Sequence, residues 1–310
     1  MPNIRSISEP LAQKAIKELN EVPERIDEDI TALRTWIMKQ PHLRTRMDDQ
    51  FLVAFLRGCK YSLEKAKQKI DLFYSIRSNF KEIMSNYDPM IEKNLQIIKK
   101  GIALPLPNTI APDSPRLFLF RPGVYEAHEF DIIDIMRISI MINDIIMVDD
   151  DQMIVAGQMG IIDLSNATMA HFLQYTPTLA KKMTVMSQDA MPFRLKGVHY
   201  INTPAGFEMV YNMFKNFLNE KNRSRLHVHG SNLEALYQHI PQKLLPKEYG
   251  GEAGNLKDLT VQWEKKFMEY RDFFLDEAKY GTDEKKRPGR PKTEEAIFGL
   301  DGTFRKLNVD

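Results

Sequence analysis

The stretch that decides the fold is residues 188–230, QDAMPFRLKGVHYINTPAGFEMVYNMFKNFLNEKNRSRLHVHG. Within it, Gly197 to Asn202 alternates small, branched and aromatic residues, which predicts a strand. Thr203 and Pro204 then supply an N-cap candidate and a proline suited to the first turn of a helix. A second short strand is expected at Leu226 to His229. The segment therefore has the order strand, helix, strand.

The helix expected over Pro204 to Leu218 is more apolar than an ordinary surface helix. Apolar residues recur with the spacing of one helical face at Phe207, Val210, Tyr211, Phe214, Phe217 and Leu218. Met209 and Met213 extend this character round its sides. Two interpretations are open, an ordinary buried helix and a mobile cover over an apolar cavity. Periodicity alone favours the buried helix, since an apolar face is usually core.

The composition excludes several classes of protein. Among 310 residues, 43 Lys and Arg nearly balance 42 Asp and Glu, so no overall field directs the chain to nucleic acid or membranes. Cys59 is the only cysteine, which excludes an internal disulfide and fits a reducing compartment. The N-terminus lacks an apolar signal core. Charges interrupt the apolar run from Ile132 to Val148, so we expect a soluble intracellular protein without a membrane span.

The rest of the chain predicts an α/β protein with a helical N-terminal domain over residues 1–90. Strand-like segments alternate with helices over 91–255, which is typical of a sheet covered by helices. An amphipathic helix is expected within 256–280, packed on the N-terminal domain. The basic segment 281–310 only faintly resembles the AT-hook, a short basic motif that binds the DNA minor groove. We therefore predict a disordered, solvated tail.

Catalytic and metal-binding patterns are missing from the sequence. There is no phosphate-cradling glycine loop and no nucleophile elbow. His227 and His229 share a strand face, but no further ligand at metal-binding spacing completes a site. Asp163 and Asp189 lie at the ends of elements, where we expect them to cap helices. We therefore predict a binding protein, not an enzyme, with no metal.

Two pairs of cations flank the apolar helix. Arg194 and Lys196 are two apart in an extended segment and project to one face. Lys221 and Arg225 are four apart in an expected helical turn and share a face there. Each of these side chains alone is most often solvated surface. If the helix folds back over the sheet, the pairs converge on one anionic group, for which a phosphorylated lipid headgroup or an anionic bilayer is the natural partner.

Six short motifs follow one another between about residues 25 and 255. They are Asp49-x-Phe51-Leu52-x-x-Phe55-Leu56-Arg57 with Lys60, Gly160-Ile161-Ile162-Asp163-Leu164, Gln188-Asp189-x-x-Pro192, Ile201-Asn202-x-Pro204-x-x-Phe207, His227-x-His229-Gly230 and Leu245-Pro246-x-Glu248-Tyr249-Gly250-Gly251. In these motifs the chain resembles the CRAL-TRIO lipid-binding family, and within it the group of the α-tocopherol transfer protein, cellular retinaldehyde-binding protein and clavesins. The resemblance implies a helical N-terminal domain, an α/β lipid-binding domain, a deep apolar cavity and a mobile helical lid.

The resemblance also implies the residues of two sites. The lid would be the helix from Pro204 to Leu218, which favours the mobile cover over the buried helix. A phosphoinositide site would fall on Arg194, Lys196, Lys221 and Arg225, with Arg and Lys exchanged in the first pair. The cavity lining would include Met136, Ile140, Ile162, Leu173, Met183, Met186, Phe207, Val210 and Phe214. Its methionines suit an adaptable fit.

The implied function is intracellular binding and transfer of one small hydrophobic ligand, such as a retinoid, tocopherol, carotenoid or related isoprenoid. Phosphoinositides in membranes would assist its release. No cofactor other than this lipid and no nucleic-acid partner is expected. The protein would be cytoplasmic and would associate transiently with endosomal or plasma membranes. One alternative is a phosphoinositide-binding adaptor in vesicle trafficking, and another is a nuclear role through the basic tail.

Overall fold

A computed structural model describes residues 2–299, in which helices at both ends of the chain enclose a five-stranded sheet. The strands are β1 (Leu43–Arg44), β2 (Ala103–Pro105), β3 (Arg116–Phe120), β4 (Gln158–Asp163), β5 (Leu195–Ile201), β6 (Leu226–Gly230) and β7 (Gly281–Thr282). The helices that precede the main sheet are α1 (Glu9–Leu19), α2 (Ile26–Met38), α3 (Asp49–Gly58), α4 (Leu63–Asn79), α5 (Lys81–Met84) and α6 (Glu92–Lys100). The later helices are α7 (Ile132–Asp149), α8 (Asp151–Ala156), α9 (Met169–Leu173), α10 (Pro177–Val185), α11 (Phe207–Phe217), α12 (Glu220–Arg223), α13 (Leu233–Tyr237), α14 (Leu256–Glu269), α15 (Arg271–Glu277) and α16 (Glu294–Phe298).

The main sheet has the strand order β2-β3-β4-β5-β6. Strand β2 runs antiparallel to β3, and the other three pairs are parallel. Parallel neighbours need a crossover, which helices supply in each case. The unit expected over residues 188–230 is present as β5, α11, α12 and β6. The α/β fold class with a helical N-terminal region is confirmed.

The two faces of the sheet pack against different helices, because successive side chains of a strand point to opposite sides. On one face, Leu119, Ile161 and Ile201 form a core with Leu236 of α13 and Leu259 of α14. On the opposite face, Ile162 and Tyr200 pack against Phe207 and Val210 of α11. Helix α11 therefore covers the face that α13 and α14 do not.

Buried ion pairs join the N-terminal helices to the sheet domain. The Arg57 guanidinium of α3 is almost fully buried, and its Nε lies 2.7 Å from the Glu21 carboxylate. Its Nη1 lies 3.1 Å from the Asp151 carboxylate at the start of α8. A buried charge is tolerated only when it is paired. Arg57 and its two partners therefore fix α3 against α8.

The longest helix, α7, is apolar but carries charges that the protein pairs internally. Asp134 accepts a hydrogen bond of 2.7 Å from Arg137 Nη1, and Asp144 accepts one of 2.6 Å from the Tyr87 hydroxyl. Arg77 also binds Asp144. Within residues 2–299, no helix combines the length and apolar character needed to cross a membrane.

The helix expected within residues 256–280 is two helices, α14 and α15, which meet at Tyr270. Trp263 of α14 donates a hydrogen bond of 3.3 Å to the Pro105 carbonyl of β2. Glu277 of α15 accepts one of 3.1 Å from Arg77 of the N-terminal helices. This part of the chain therefore packs both on the edge of the sheet and on the helical domain.

Residues 281–299 do not form the solvated tail that their basic composition predicts. Strand β7 pairs antiparallel with β1. The Arg287 Nη1 atom lies 2.8 Å from the Asp71 carboxylate on α4, and the Phe298 side chain is fully buried. Arg287 and Lys292 are therefore both paired with Asp71, which lies far away in the sequence, and Arg287 also pairs with nearby Glu284. Residues 300–310, the remainder of the expected tail, lie outside the described residues.

Candidate functional site

Helix α11 begins at Phe207, three residues later than its expected start at Pro204. Gly206 precedes it with φ of 88°, a left-handed conformation that glycine adopts without strain. A Cβ atom at this position would lie 2.4 Å from Met169 Cε of α9. The N-terminal end of α11 is therefore a glycine turn that packs closely on α9.

The inner face of α11 consists of aromatic and branched side chains. Phe207 and Val210 are buried. The ring of Phe207 lies 5.1 Å from that of Tyr200 on β5, and the ring of Phe214 lies 5.6 Å from that of Tyr175, centroid to centroid. Such edge and tilted contacts add to the free energy gained by burial. Helix α11 is thus seated on the sheet in this structure.

The far end of α11 is connected to a π-helical turn, Met186–Ala190, that follows α10. Gln188 Oε1 accepts hydrogen bonds of 3.1 Å from the Asn219 backbone N–H and 3.0 Å from Asn222 Nδ2. Single π-helical turns are frequent at functional sites. We call this polar contact the Gln188 latch. It holds the segment that follows α11 through one exposed and one partly buried hydrogen bond.

The expected lining residues lie in two adjoining apolar clusters. Met136 and Ile140 of α7 belong to the main core, with Met183 and Met186 packed against it. Phe207 and Val210 belong to the second cluster, with Ile162 and Phe214 packed against it. Tyr175 contacts both clusters. The structure therefore brings these eight predicted positions into one continuous apolar region beneath α10 and α11.

Leu173 is the exception among the expected lining residues. Its side chain is 66% exposed, whereas its neighbour Phe172 is buried. Helix α9 has only five residues, too few for apolar periodicity to show which side faces the core. Leu173 therefore lies on the outer surface, and the inward position belongs to Phe172.

Two small cavities lie beside helix α7. A cavity of about 20 Å³ lies beside Phe80, Ile140 and Met186, and another of about 10 Å³ lies beside Ile138 and Trp263. Pockets for drug-sized ligands measure about 300–1,000 Å³. Both cavities are therefore too small for a lipid, and neither is lined by a residue of α11.

Three of the four expected headgroup ligands converge at the start of β5. Arg194 Nη2 donates to the Val155 carbonyl and Arg225 Nη1 donates to the Leu195 carbonyl. Arg194 Nη1 is buried without a hydrogen-bond partner among residues 2–299. Burial, and then repulsion from Arg225, lowers the pKa of Arg194 despite the attraction of Glu18. A buried guanidinium N–H without an acceptor is a ready position for an anion.

Lys221 and Arg225 do not share a helical face as expected. Helix α12 ends at Arg223, so Arg225 lies in the turn before β6 and its side chain folds back on β5. Lys221 is exposed on α12, and its side chain forms no ion pair with any residue in 2–299. The basic site, defined as Arg194, Lys196, Lys221 and Arg225, thus has three clustered members and one outlying member.

Helix α1 adds two charged residues to the basic site that the sequence did not reveal. Lys196 Nζ lies 3.7 Å from Glu18 Oε2, and Lys14 Nζ lies 3.3 Å from Glu18 Oε1. Burial raises the pKa of Glu18, but the charges of Lys196 and Lys14 outweigh it and keep this pKa below its usual value. Helix α1 and β5 are far apart in the chain, so no local pattern connects them.

Asp163 is a polar hub where β4 ends, and not the helix cap that was expected. Its carboxylate accepts hydrogen bonds from Ser165, from Asn202 Nδ2 at 2.8 Å and from the Tyr249 hydroxyl at 2.6 Å. Burial alone would raise the pKa of Asp163, but these donors lower it. Asn202 is the residue after β5, so the hub anchors the chain that leads into α11.

Four histidines meet on the sheet face opposite α11. The His199 ring lies 4.8 Å from His227, 5.2 Å from His229 and 5.0 Å from His239, centroid to centroid. His199 Nδ1 lies 2.9 Å from His229 Nε2. Burial and the neighbouring imidazoles lower the pKa of His199 to about 3. Within residues 2–299, no group of three or more His, Cys, Asp or Glu is arranged to hold a metal ion.

Comparison with known proteins supports the architecture. The model of the CRAL/TRIO domain matches residues 108–251, and that of the Pinta-like, UBA domain matches residues 22–94. The chain is 33% identical over 274 residues to the Homo sapiens protein named alpha-tocopherol transfer protein-like, which covers 88% of this chain and 78% of that protein. It is 30% identical over 249 residues to Homo sapiens clavesin-2, which covers 79% of this chain and 75% of that protein. The chain therefore belongs to the CRAL-TRIO family.

Proposed function

We propose that this protein binds one hydrophobic lipid molecule beneath α11 and transfers it between membranes. The observation that carries the proposal is the continuous apolar region under α11, bounded by the Gly206 turn at one end and the Gln188 latch at the other. The membership in the CRAL-TRIO family and the relative named as a transfer protein support it. We propose a retinoid, tocopherol, carotenoid or related isoprenoid as the cargo.

The free energy of binding would come from apolar burial. Removing about 400 Å² of apolar ligand surface from water at about 25 cal/mol per Å² gains about 10 kcal/mol before ordering costs. The ligand would take the place of contacts that Met183 and Met186 now make with the core. Methionine tolerates such rearrangement because its side chain is unbranched and flexible. A loaded protein would then keep α11 closed over the ligand.

Release would begin at the outer surfaces of α9 and α11. Leu173, Met169 and Met209 are 66%, 46% and 45% exposed, and α9 adjoins α11 because Met169 contacts Gly206. Exposed apolar side chains of this kind fit a membrane interface. The basic site, which lies at the start of β5, would bind phosphoinositide headgroups, with Arg194 Nη1 as a donor that has no partner among residues 2–299. Opening would break the Gln188 latch.

A second candidate function is a phosphoinositide-binding adaptor that carries no cargo. The observation that favours it is the buried Arg194 Nη1, which has no hydrogen-bond partner among residues 2–299 and could bind a headgroup without any cargo. Such a protein would bind phosphoinositide vesicles through the same basic site and act through a protein partner. Uptake of lipid distinguishes the two functions.

The test measures uptake and transfer separately. Fluorescent NBD-labelled α-tocopherol and retinol serve as probes, with acceptor vesicles of phosphatidylcholine alone or with phosphatidylinositol 4,5-bisphosphate. Combining Arg194→Ala with Lys221→Ala should slow transfer to the phosphoinositide vesicles by about thirtyfold and leave probe affinity unchanged, since each of the two charge-assisted contacts contributes about 1 kcal/mol. The matched control is the double variant Lys81→Ala and Lys265→Ala, which removes two exposed charges outside the basic site and should leave transfer unchanged.

The outcomes separate the two proposals. Equal loss of affinity and transfer in the double variant would refute separate cargo and headgroup sites. A protein that binds phosphoinositide vesicles but takes up neither probe, and whose native mass spectrum from its own source shows no bound lipid, would refute the transfer function and favour the adaptor.

A further inference from the structure

Helix α1 places a carboxylate inside the basic site. Glu18 bridges two ammonium groups, with its Oε1 3.3 Å from Lys14 Nζ and its Oε2 3.7 Å from Lys196 Nζ. Lys14 also lies 3.0 Å from the Asp113 carboxylate. One residue of the basic site therefore has a negative partner before any lipid arrives.

The position of Glu18 is set by packing. Leu11, Ala15 and Leu19 of α1 are buried against Val155 and Ala156 of α8. The Val155 carbonyl also accepts the hydrogen bond from Arg194. Helix α1 is thus docked on the same segment that holds Arg194, and Glu18 faces the site from a fixed helix.

The charges around Glu18 are unevenly matched. Glu18 is attracted by Lys196, Lys14 and Arg194, in that order, and its pKa is lowered although burial opposes this. Burial lowers the pKa of Lys196, and repulsion from Arg194 and Arg225 adds to this, while Glu18 opposes it. Arg194 Nη1 has no acceptor among residues 2–299. The site therefore still attracts anions, but Lys196 is already engaged.

On the basis of the proposed headgroup binding, we propose that Glu18 is a specificity-determining residue, whose carboxylate excludes headgroups of low charge from the basic site. A headgroup must compete with this carboxylate for Lys196 and also tolerate its repulsion. A phosphate monoester carries a charge of about −1.5 to −2 near pH 7, whereas a phosphodiester carries about −1. Phosphoinositides with monoester phosphates would therefore enter, and phosphatidylserine or unphosphorylated phosphatidylinositol would not. Specificity of this kind comes from a repulsive element as much as from attraction.

The direct test is Glu18→Gln in the full chain, because glutamine keeps the size of the side chain and removes its charge. Glu18 is 44% exposed, so the variant should fold. Binding is measured by co-sedimentation with phosphatidylcholine vesicles that contain either phosphatidylserine or phosphatidylinositol 4,5-bisphosphate at equal total charge. The matched control is Glu9→Gln, which removes an exposed charge from the first turn of the same helix.

Glu18→Gln should strengthen binding to phosphatidylserine vesicles by about two- to fivefold, the effect of removing one partly exposed charge from a binding site. Binding to the phosphoinositide vesicles should rise less. The ratio of the affinity for phosphoinositide vesicles to the affinity for phosphatidylserine vesicles should therefore fall. The control should leave that ratio unchanged. Soluble inositol 1,4,5-trisphosphate should compete with the phosphoinositide vesicles if the headgroup itself is bound.

Three results would overturn the proposal. The first is a ratio for Glu18→Gln equal to that of the control, while Arg194→Ala still abolishes phosphoinositide binding; this would refute the role of Glu18 and leave the basic site intact. The second is a ratio that rises. The third is an unmodified protein that binds neither kind of vesicle, which would overturn the proposed headgroup site as well.

Discussion

Acidification should destabilise the strand pair that carries α11, through the four-histidine cluster. His199 is 1% exposed, and its pKa in the folded protein is about 3, against about 6.5 in an unfolded chain. Between these values the unfolded chain binds more protons than the folded one. Stability is therefore complete above about pH 6.5 and is lost as the pH falls towards the folded pKa.

Among residues 2–299, no carboxylate contributes to the pKa of His199. The influences on the pKa of His199 are burial and the imidazoles of His227, His229 and His239. Helix α13, which packs on β5 and β6, carries Glu234 on its exposed side and Tyr237. Helix α12 also contacts β5 and presents exposed Glu220, Lys221 and Arg223. Protonated imidazoles in the cluster would thus repel one another without an internal counter-ion.

The magnitude follows from the pKa shift. At about pH 5 the medium lies about 1.5 units below the unfolded pKa, and each unit corresponds to about 1.36 kcal/mol. Protonation of His199 in the unfolded chain should therefore lower the free energy of unfolding by about 2 kcal/mol between about pH 7.5 and about pH 5. The pKa values of His227 and His229 are also lowered, first by burial, but both are partly exposed and water screens their contribution.

Urea unfolding across this pH range measures the effect, and the readout is the pH dependence of stability. His199→Asn should reduce that dependence by about 1–2 kcal/mol, whatever its stability at neutral pH. Exposed His128→Asn is the control and should leave it unchanged. The reasoning is refuted if wild type and His199→Asn lose equal stability on acidification. It is also refuted if the His199 imidazole titrates near pH 6.5 in NMR spectra.

Three further substitutions test the packing. Phe298→Ala should lower the unfolding free energy by about 3–5 kcal/mol in urea titrations, because the ring is fully buried; a loss below about 1 kcal/mol would contradict the packing of residues 281–299. Gly206→Ala should cost about 1–2 kcal/mol at φ of 88° and speed the release of bound retinol in stopped-flow fluorescence; an unchanged rate would show that this turn does not hold α11. Arg57→Met should cost about 3–5 kcal/mol because it leaves the Glu21 carboxylate buried and unpaired, and adding Glu21→Gln should restore part of the loss; no recovery would mean that packing of Arg57 matters more than its charge.

Local patterns predicted the elements around the site closely. Strands β5 and β6 and helix α11 lie within a few residues of their expected positions, because alternation, helical spacing and turn residues act over neighbouring residues. Helix α11 begins later than expected because the chain first passes through a left-handed turn at Gly206, two residues after Pro204. The five-residue helix α9 was too short for a pattern, so the exposed position of Leu173 could not be predicted.

Charge partners were not predictable in the same way. The sequence shows that Arg287 is basic, but only the packing of its segment on α4 brings Arg287 close to Asp71. The sequence places His227 and His229 on one strand face, yet the register of β5 on β6 adds His199 and the return of the chain after α13 adds His239. In each case the partner comes from a segment that is distant in the chain.

The sequence by itself determined the α/β class, the strand–helix–strand unit of residues 188–230 and the family resemblance, because these depend on short-range periodicity and local motifs. Only the tertiary structure decided that Glu18 faces Lys196, that Asp163 ties Asn202 to Tyr249, and that Phe207 and Val210 of α11 pack against Ile162 and Tyr200. The physical reason is that ion pairs, buried hydrogen bonds and apolar packing depend on which distant segments meet and how their side chains fill the space between them.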